Sequence, residues 1–333
     1  MASPGGSLYK PGAHRRLTSP AVVRELLSSA GLHPRRGYGQ NFLVDANVLR
    51  IITEAAALEP YDTVIEVGAG LGALTQALLE QSGKVYAVET DERLASILER
   101  ELADAGNLVL MKADAMDLDP SKLWEGSPPA DTKMVSNLPY QIAATLLVDW
   151  LKDYDWITSY TVMLQREVAD RITAGPGSKD YSGASVKIQY RAEAHKVASV
   201  SRNSFYPKPQ VDSAIVHLRR RPKGEGAGMP RASDEALFDR LVTAAFQQRR
   251  KKLANSASAG FPDVTPDVVA RALGELVKPA STRAEELSAA EFALLSNALA
   301  SRAPGILSDP KREKGTGTFS HSGPTGDGEG TPG

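Results

Sequence analysis

The 333-residue chain contains no cysteine and only five histidines. The absence of cysteine excludes disulfide scaffolds, thiolate zinc sites and cysteine nucleophiles. The histidines are scattered rather than spaced as ligands, so we expect no metal site. The chain also lacks the run of about 18 apolar residues that a bilayer-spanning helix requires, and Met1–Lys10 lacks the apolar region of a signal peptide. We therefore expect a soluble, cytoplasmic protein.

Charge of both signs is present, but it is unevenly distributed. The formal net charge at pH 7 is -1. Residues 51–160 carry 7 basic and 19 acidic side chains, whereas residues 161–260 carry 18 basic and 9 acidic ones. A basic face on a protein of neutral average charge fits a nucleic-acid partner. Ordinary solvated surface charge is the alternative until motifs are considered.

The spacing of apolar residues predicts the helices and strands. Helices are expected after a cap at Thr18 or Ser19 and near Asp45. From Asp62 onward, short apolar runs alternate with helical segments, which indicates a parallel sheet with helices on both faces. The predicted strands are Thr63–Val67, Lys84–Val88, Leu108–Lys112, Lys133–Ser136, Tyr160–Leu164, His195–Val200 and Ala214–Leu218. The last two are candidates for antiparallel pairing.

These patterns divide the chain into four parts. Residues 1–17 are expected to form a flexible basic extension, and residues 18–222 a domain built on the sheet. A linker is expected from Arg219 to Ser233, where proline, glycine and charge replace periodicity. Only helical patterns follow, which predicts a small helical domain over residues 233–302. Residues 303–333, rich in glycine, proline, serine and threonine, are expected to be a disordered tail.

A glycine turn is the first motif with chemical meaning. Gly68, Gly70 and Gly72 follow a predicted strand and open a helix, and glycine lets the backbone approach a ligand where a Cβ atom would clash. Glu89 stands at the end of the next strand, where a carboxylate can accept hydrogen bonds from both hydroxyls of a ribose. This pair fits either a dinucleotide or S-adenosylmethionine.

Two details favour S-adenosylmethionine. Acidic Glu66 precedes the glycines, and no basic cluster follows them to hold a pyrophosphate. Asp114 follows the third predicted strand, where its side chain could accept a hydrogen bond from the amino group of adenine. A lone aspartate at a strand end is more often a turn residue, so this assignment depends on the others.

The motif Asn137-Leu138-Pro139-Tyr140, directly after the fourth predicted strand, points to transfer onto an adenine amino group. That nitrogen is a poor nucleophile because its lone pair is delocalised into the ring. The Asn137 side chain and a backbone carbonyl at Leu138 or Pro139 could accept its two hydrogens and localise the lone pair. Tyr140 could stack on the base and hold it for transfer. An isolated turn with a helix-initiating proline is the structural alternative.

The sequence resembles the ribosomal RNA adenine dimethyltransferase family, in particular its bacterial small-subunit enzymes. The resemblance covers roughly residues 35–300, in the family's order. The segments that carry it are 39–43 (GQNFL), 66–72, 137–140 (NLPY), 163–169, 205–213 (FYPKPQVDS) and 246–253 (FQQRRKKL). It implies a Rossmann-like α/β fold of the class I S-adenosylmethionine-dependent methyltransferases, with a small C-terminal all-helical domain.

The resemblance also implies the site residues and the substrate. The residues expected to contact S-adenosylmethionine are Asn41, Leu43, Gly68, Glu89, Asp114 and Asn137. Tyr140 and Phe205 would flank the target adenine, although Phe205 could equally be a core aromatic. The implied substrate is a pair of adjacent adenosines in the 3′-terminal hairpin loop of 16S rRNA, methylated four times in all on a pre-assembled small subunit. We expect the enzyme to be a monomer.

Basic residues then become candidates for rRNA contacts. Arg35 and Arg36 precede the donor loop, and Lys179 and Lys208 lie in predicted loops beside the pocket. Four consecutive basic residues lie in the helical domain, namely Arg249, Arg250, Lys251 and Lys252. Phosphate contacts of this kind position RNA and make binding depend on salt. The helical domain is expected to dock rRNA and to supply no chemistry.

Three other functions compete with this prediction. A large-subunit rRNA methyltransferase of the macrolide-resistance type shares the donor motifs, but segments 205–213 and 249–253 resemble the small-subunit enzyme. A non-catalytic nucleic-acid-binding protein could reuse the fold, although the intact Asn137–Tyr140 motif argues against lost chemistry. A nicotinamide oxidoreductase would leave that motif and the helical domain unexplained.

Overall fold

The structure is a computed structural model that describes residues 16–32, 40–124, 126–222, 228–248, 251–261 and 264–302. The strands are β1 (Phe42–Leu43), β2 (Thr63–Val67), β3 (Lys84–Glu89), β4 (Leu108–Lys112), β5 (Thr132–Asn137), β6 (Ile157–Gln165), β7 (Ala192–Val200), β8 (Phe205–Tyr206) and β9 (Ser213–Arg220). The helices are α1 (Pro20–Ser29), α2 (Ala46–Ala56), α3 (Ala73–Leu79), α4 (Glu92–Glu101), α5 (Ala143–Asp153), α6 (Arg166–Thr173), α7 (Gly183–Arg191), α8 (Glu235–Gln247), α9 (Leu253–Ser258), α10 (Pro266–Glu275) and α11 (Ala289–Arg302). No helix of these described segments is long and apolar enough to cross a membrane.

One large sheet organises the first two thirds of the chain. Its strand order is β4-β3-β2-β5-β6-β9-β7. Neighbouring strands from β4 to β6 are parallel, whereas β9 is antiparallel to both β6 and β7. Every residue of β2 is buried, as expected for a central strand with helices on both faces. The predicted α/β class and the antiparallel pair are confirmed.

Two apolar cores lie on opposite faces of this sheet. Helices α1 to α4 contribute to one core, in which Ile52, Leu78 and Leu98 are fully buried. Helices α5 and α6 contribute to the other, which contains Leu147 and Ile172. Loss of this apolar surface from water on both faces stabilises the sheet between the helices.

The C-terminal helices form a third core that also includes α7. The ring centroids of Tyr190 on α7 and Phe238 on α8 lie 4.2 Å apart. Arg191, also on α7, is buried and pairs with Asp239 at 3.0 Å and with Glu235 at 3.2 Å. The pattern of apolar residues predicts no helix or strand at α7. The helix is buried on several sides between the sheet and α8, so its pattern is not that of an amphipathic helix.

Two predicted boundaries were wrong. Leu17 is buried in the core of the sheet, so the ordered chain includes the end of the extension predicted for residues 1–17. Strand β9 continues to Arg220, into the predicted linker. The Arg220 guanidinium donates to the carbonyls of Leu151, Tyr154 and Ile157 at 2.7–2.8 Å, which holds the strand end against α5 and β6. Residues 1–15 and the predicted tail, 303–333, lie outside the described residues.

Candidate active site

The parallel strands end at a cavity of about 720 Å³, at the edge of the sheet where open α/β folds bind ligands. This volume is within the range of about 300–1,000 Å³ that small-molecule sites occupy. The cavity brings together most of the predicted site residues. Those that line it are Asn41, Leu43, Gly68, Glu89, Asp114, Asn137, Leu138, Pro139 and Tyr140.

The glycine turn follows β2 and forms one wall of the cavity. Gly68 and Gly70 have φ angles of +77° and +58°, which side chains rarely allow. A Cβ atom on Gly68 would lie 3.1 Å from Cδ of Pro139. The donor turn and the Asn137–Tyr140 loop therefore approach each other directly, and glycine is what permits the approach.

Glu89 ends β3 beside the glycine turn and is held by backbone donors. One carboxylate oxygen accepts from the Gly70 amide at 2.8 Å, and the other accepts from the Asp91 amide at 2.9 Å. Burial raises the pKa of Glu89, while these two amide hydrogen bonds oppose that shift. Each oxygen keeps further lone pairs, so an oriented carboxylate faces the cavity with capacity to bind hydroxyls.

Asp114 lies in the cavity wall after β4. One of its oxygens accepts from the amide of Met116 at 2.9 Å, which is the turn geometry that sequence analysis gave as the alternative. Asp114 can hold this turn and also bind a ligand in the cavity, because its second carboxylate oxygen makes no hydrogen bond with the described residues.

Glu66 on β2 is the site residue whose role sequence analysis did not assign. It lines the cavity but is only 1% exposed, and its Oε2 atom has no hydrogen-bond partner among the described residues. Burial raises the pKa of Glu66 to about 8, with a smaller contribution from the negative charge of Glu89. Burial is the main cause of this raised pKa, and the sequence motif gives no sign that Glu66 is buried.

The Asn137–Tyr140 loop is fixed at three points. The Leu138 amide donates to the Met163 carbonyl at 2.9 Å, and the Pro139 carbonyl accepts from the Ile142 amide at 3.2 Å. The Tyr140 hydroxyl lies 2.7 Å from the hydroxyl of Ser213, a fully buried residue at the start of β9. Ser213 belongs to a segment that carried the family resemblance, but nothing in the sequence pairs it with Tyr140.

Asn41 and Leu43 reach the cavity through a two-stranded sheet. Leu43 on β1 pairs with Phe205 on β8, and Phe42 pairs with Tyr206. Phe205 is 4% exposed and packs in the core on this face of the large sheet. It is not among the described residues that line the cavity, so its position matches the core aromatic that sequence analysis gave as the alternative.

The predicted RNA-binding residues are only partly described. Lys179, Lys208, Lys251 and Lys252 are exposed. The remaining four, Arg35, Arg36, Arg249 and Arg250, lie outside the described residues. Two residues that were not predicted at the site also line the cavity, namely Leu17, which precedes α1, and Val23 in the first turn of that helix. The described segments hold no group of three or more side chains suited to a metal ion.

The residues present fit an adenosine-containing methyl donor. A glycine turn without side chains, a fixed carboxylate at the end of the adjacent strand and the Asp114 oxygen provide the groups that a nucleoside requires. These groups share one cavity with the Asn137–Tyr140 loop.

Solved structures define the class of protein. The structure is similar to that of a dimethyladenosine transferase from Plasmodium falciparum, with a TM-score of 0.64 and 24% identity over 76% of this chain and 95% of that chain. It is also similar to the 23S rRNA methyltransferase ErmE, with a TM-score of 0.58 and 28% identity over 78% of this chain and 99% of that chain. The fold is that of the Rossmann-like methyltransferases that use S-adenosylmethionine, which confirms the predicted fold class and methyl donor.

Sequence comparison then defines the family. The model of the family "Ribosomal RNA adenine dimethylase" matches residues 31–300. Ribosomal RNA small subunit methyltransferase A from Geobacillus sp. (strain WCH70) is 38% identical over 290 residues, 86% of this chain and 98% of that protein. The protein of the same name from Bacillus cereus (strain B4264) is 38% identical over 291 residues, 85% of this chain and 97% of that protein. The chain belongs to the ribosomal RNA adenine dimethylase family.

Proposed function

We propose that this protein transfers methyl groups from S-adenosylmethionine to the exocyclic nitrogens of two adjacent adenosines in the 3′-terminal hairpin loop of 16S rRNA, within the small ribosomal subunit. The observation that carries the proposal is the shared cavity, in which the donor turn at Gly68 contacts the Asn137–Tyr140 loop. Direct transfer requires donor and acceptor to be held together in one orientation. The small-subunit relatives at 38% identity support this target.

The Asn137–Tyr140 loop would activate the acceptor nitrogen. The side-chain oxygen of Asn137 accepts one of its two hydrogens, and a backbone carbonyl accepts the other. The Pro139 carbonyl already accepts from the Ile142 amide, whereas the Leu138 carbonyl accepts no hydrogen bond that the described residues provide. We therefore assign the second acceptor to Leu138. The two bonds draw the nitrogen toward tetrahedral geometry and localise its lone pair.

The donor side of the cavity would bind and orient S-adenosylmethionine, which supplies the methyl group on a cationic sulfur. Glu89 would accept from the ribose hydroxyls and Asp114 from the adenine amino group, while Asn41 and Leu43 close the other side. Because the leaving group is a neutral thioether, the chain needs no strong base before transfer. The proton of the product amine can pass to water after transfer.

Tyr140 would stack on the target adenine and hold it against the two acceptors. Its ring belongs to the cavity wall, and its hydroxyl is held by Ser213. Phe205 is proposed as the second ring beside the base. That role requires the β8 segment to move, because the Phe205 side chain is buried in the core.

The remaining parts of the proposal concern docking and assembly. A catalytic domain over residues 18–222 would perform the chemistry, and a helical domain over residues 233–302 would dock on rRNA. Exposed Lys251 and Lys252, directly before α9 in the helical domain, support a phosphate contact. We further propose that the protein is cytoplasmic and monomeric. Light scattering of the purified protein, free and with small subunits, would test the monomeric state.

Methylation of undermethylated small subunits tests the function. With labelled S-adenosylmethionine, mass analysis of nuclease digests is expected to find dimethyladenosine in the 16S 3′ hairpin. The Asn137→Ala variant should lose at least about 100-fold in turnover, because one acceptor of the transition state is removed. The matched control is Asn47→Ala, at an exposed position on α2. Near wild-type dimethylation by Asn137→Ala would refute the mechanism.

Two other outcomes would redirect the assignment. Label confined to 23S rRNA would indicate a 23S rRNA methyltransferase, as ErmE is named, whose structure shares this fold. Tight particle binding without label would indicate a non-catalytic RNA-binding protein.

A further inference from the structure

Helix α1 and the residues directly before it contribute side chains both to the cavity and to the protein surface. Leu17 and Val23 are each 1% exposed and line the donor cavity. Arg16 and Arg24, their neighbours in sequence, are exposed. The segment therefore contributes apolar side chains to the cavity wall and cations to the surface beside it.

Arg24 lies above the aromatic ring of Tyr206, a residue of strand β8. Its guanidinium carbon is 5.9 Å from the centroid of the Tyr206 ring, and its Nε atom donates to the Pro20 carbonyl at 3.1 Å. No carboxylate of the described residues forms an ion pair with Arg24. The remaining guanidinium donors keep their capacity to bind phosphate, and the planar group can also stack on a base.

Tyr206 places this contact next to a residue of the cavity wall. It pairs on β8 with Phe42 on β1, and Phe42 lines the cavity. Two further exposed cations belong to the same loop. Lys208 follows Tyr206 by two residues, and Arg202 holds the loop closed by donating to the Gln210 carbonyl at 3.2 Å.

We propose that the rim patch, defined as Arg16, Arg24, Arg202, Tyr206 and Lys208, binds the single-stranded RNA segment that flanks the target adenosine. The inference rests on the proposed function and extends its RNA-binding surface from Lys208, already a candidate contact, to the N-terminal helix. Cations next to an aromatic ring suit looped RNA, because phosphates bind the cations while an unpaired base stacks on the ring. The N-terminal helix thereby belongs to both the donor cavity and the RNA surface.

The Arg24→Ala variant tests the rim patch in the full-length protein. Its Kd for undermethylated small subunits is expected to rise about fivefold. The slope of the logarithm of the association constant against the logarithm of the salt concentration should become shallower by about 0.7, the value for one lost phosphate contact to a single strand. Arg24→Lys should restore the slope but only part of the affinity, because lysine keeps the charge and loses the planar stack. The Kd for S-adenosylmethionine, measured by calorimetry, should be unchanged.

Arg100→Ala is the matched control, since Arg100 is an exposed arginine on α4 that pairs with its neighbour Glu101. Particle affinity and salt slope in Arg24→Ala equal to those of the control would overturn the proposal. So would a parallel loss of donor affinity, because that result would mean Arg24 only holds α1 against the cavity. The proposed function is tested separately, by dimethylation of small subunits by the wild-type protein. If the wild-type protein dimethylates them, the proposed function stands even where the Arg24 results overturn the rim patch. If it does not, the proposed function is refuted whatever the Arg24 variants show.

Discussion

The hydrogen bond between Tyr140 and Ser213 is one of two contacts that hold the Asn137–Tyr140 loop to the sheet, the other being that of the Leu138 amide with the Met163 carbonyl on β6. Tyr140 belongs to a loop, and loops are less rigid than the strands that they connect. Ser213 is fully buried and pairs across the sheet with Gln165 on one side and Val200 on the other. A 2.7 Å bond to such a residue restricts the position of the tyrosine hydroxyl, and with it the ring that we propose to stack on the target base.

Loss of that bond should reduce turnover more than binding. We expect Ser213→Ala to lower kcat by about 10- to 100-fold, because small misplacements of a reacting group have effects of this size. Tyr140→Phe keeps the ring but removes the same bond, so the double variant should be no slower than the slower single variant. Single-turnover methylation of small subunits measures the effect. Wild-type kcat in Ser213→Ala would show that the bond has no positioning role.

Glu66 should make stability depend on pH. Its pKa is about 8 in the folded protein and about 4.5 when exposed to water, so the folded state binds the extra proton between these values. Stability should therefore fall as the pH rises from about 5 to 8, because the folded state binds more protons than the unfolded state in this range. Glu66→Gln should flatten this part of the curve in urea unfolding. Glu92→Gln, at an exposed position, is the control. Equal slopes in Glu66→Gln and the wild type would contradict the buried-acid interpretation.

At the scale of elements, the end of α10 carries an unusual residue. The Val277 amide donates to the Gly274 carbonyl and the Lys278 amide to the Leu273 carbonyl, both at 3.0 Å, which is a Schellman motif. Val277 has a φ angle of +57°, where glycine is the usual residue, and it is 92% exposed. The valine therefore adds backbone strain without burying its side chain.

Val277→Gly should raise the free energy of unfolding by about 1 kcal/mol, because the left-handed conformation costs a branched residue about 1–2 kcal/mol and glycine almost nothing. Chemical denaturation measures the change. The same substitution at Val197, an exposed residue at the bulge in strand β7, should have the opposite sign, since its φ angle is not positive and glycine only adds conformational entropy to the unfolded chain. Equal destabilisation at both positions would contradict the strain argument.

At the scale of the whole molecule, charge and chemistry are separated along the chain. The acidic block, residues 51–160, contains most of the cavity wall, while the basic block, residues 161–260, contains β7 to β9 and the first helices of the helical region. A cationic donor suits an acidic cavity, and an RNA substrate suits a basic surface. This arrangement explains how a chain of net charge -1 can bind both.

The basic run in the helical region should contribute to RNA affinity and not to donor affinity. For Arg249→Ala combined with Arg250→Ala, we expect weaker binding to small subunits and a salt slope shallower by about 1.4 if both residues contact phosphates. The Kd for S-adenosylmethionine should stay the same. Particle affinity that does not change across a salt titration would remove this run from the RNA surface.

Sequence patterns predicted several elements well because the signals for those elements are local. Strands β2 and β4 have the predicted limits, Thr63–Val67 and Leu108–Lys112, since a parallel strand is an apolar run bounded by turn residues. Helix α2 begins after Asp45, whose side chain accepts from the amides of Asn47 and Val48. In each case the decisive interaction lies within a few residues along the chain.

The sequence by itself determined the α/β class, the glycine turn, Glu89 and the Asn137–Tyr140 motif, because strand ends and turns follow from local residue types. Tertiary structure alone decided which distant residues complete the site. Ser213 meets Tyr140, Leu17 enters the cavity wall, and Glu66 has a raised pKa, none of which has a local signature. The physical reason is that burial, desolvation and contacts between distant residues depend on how the elements pack, and short-range patterns do not encode that packing.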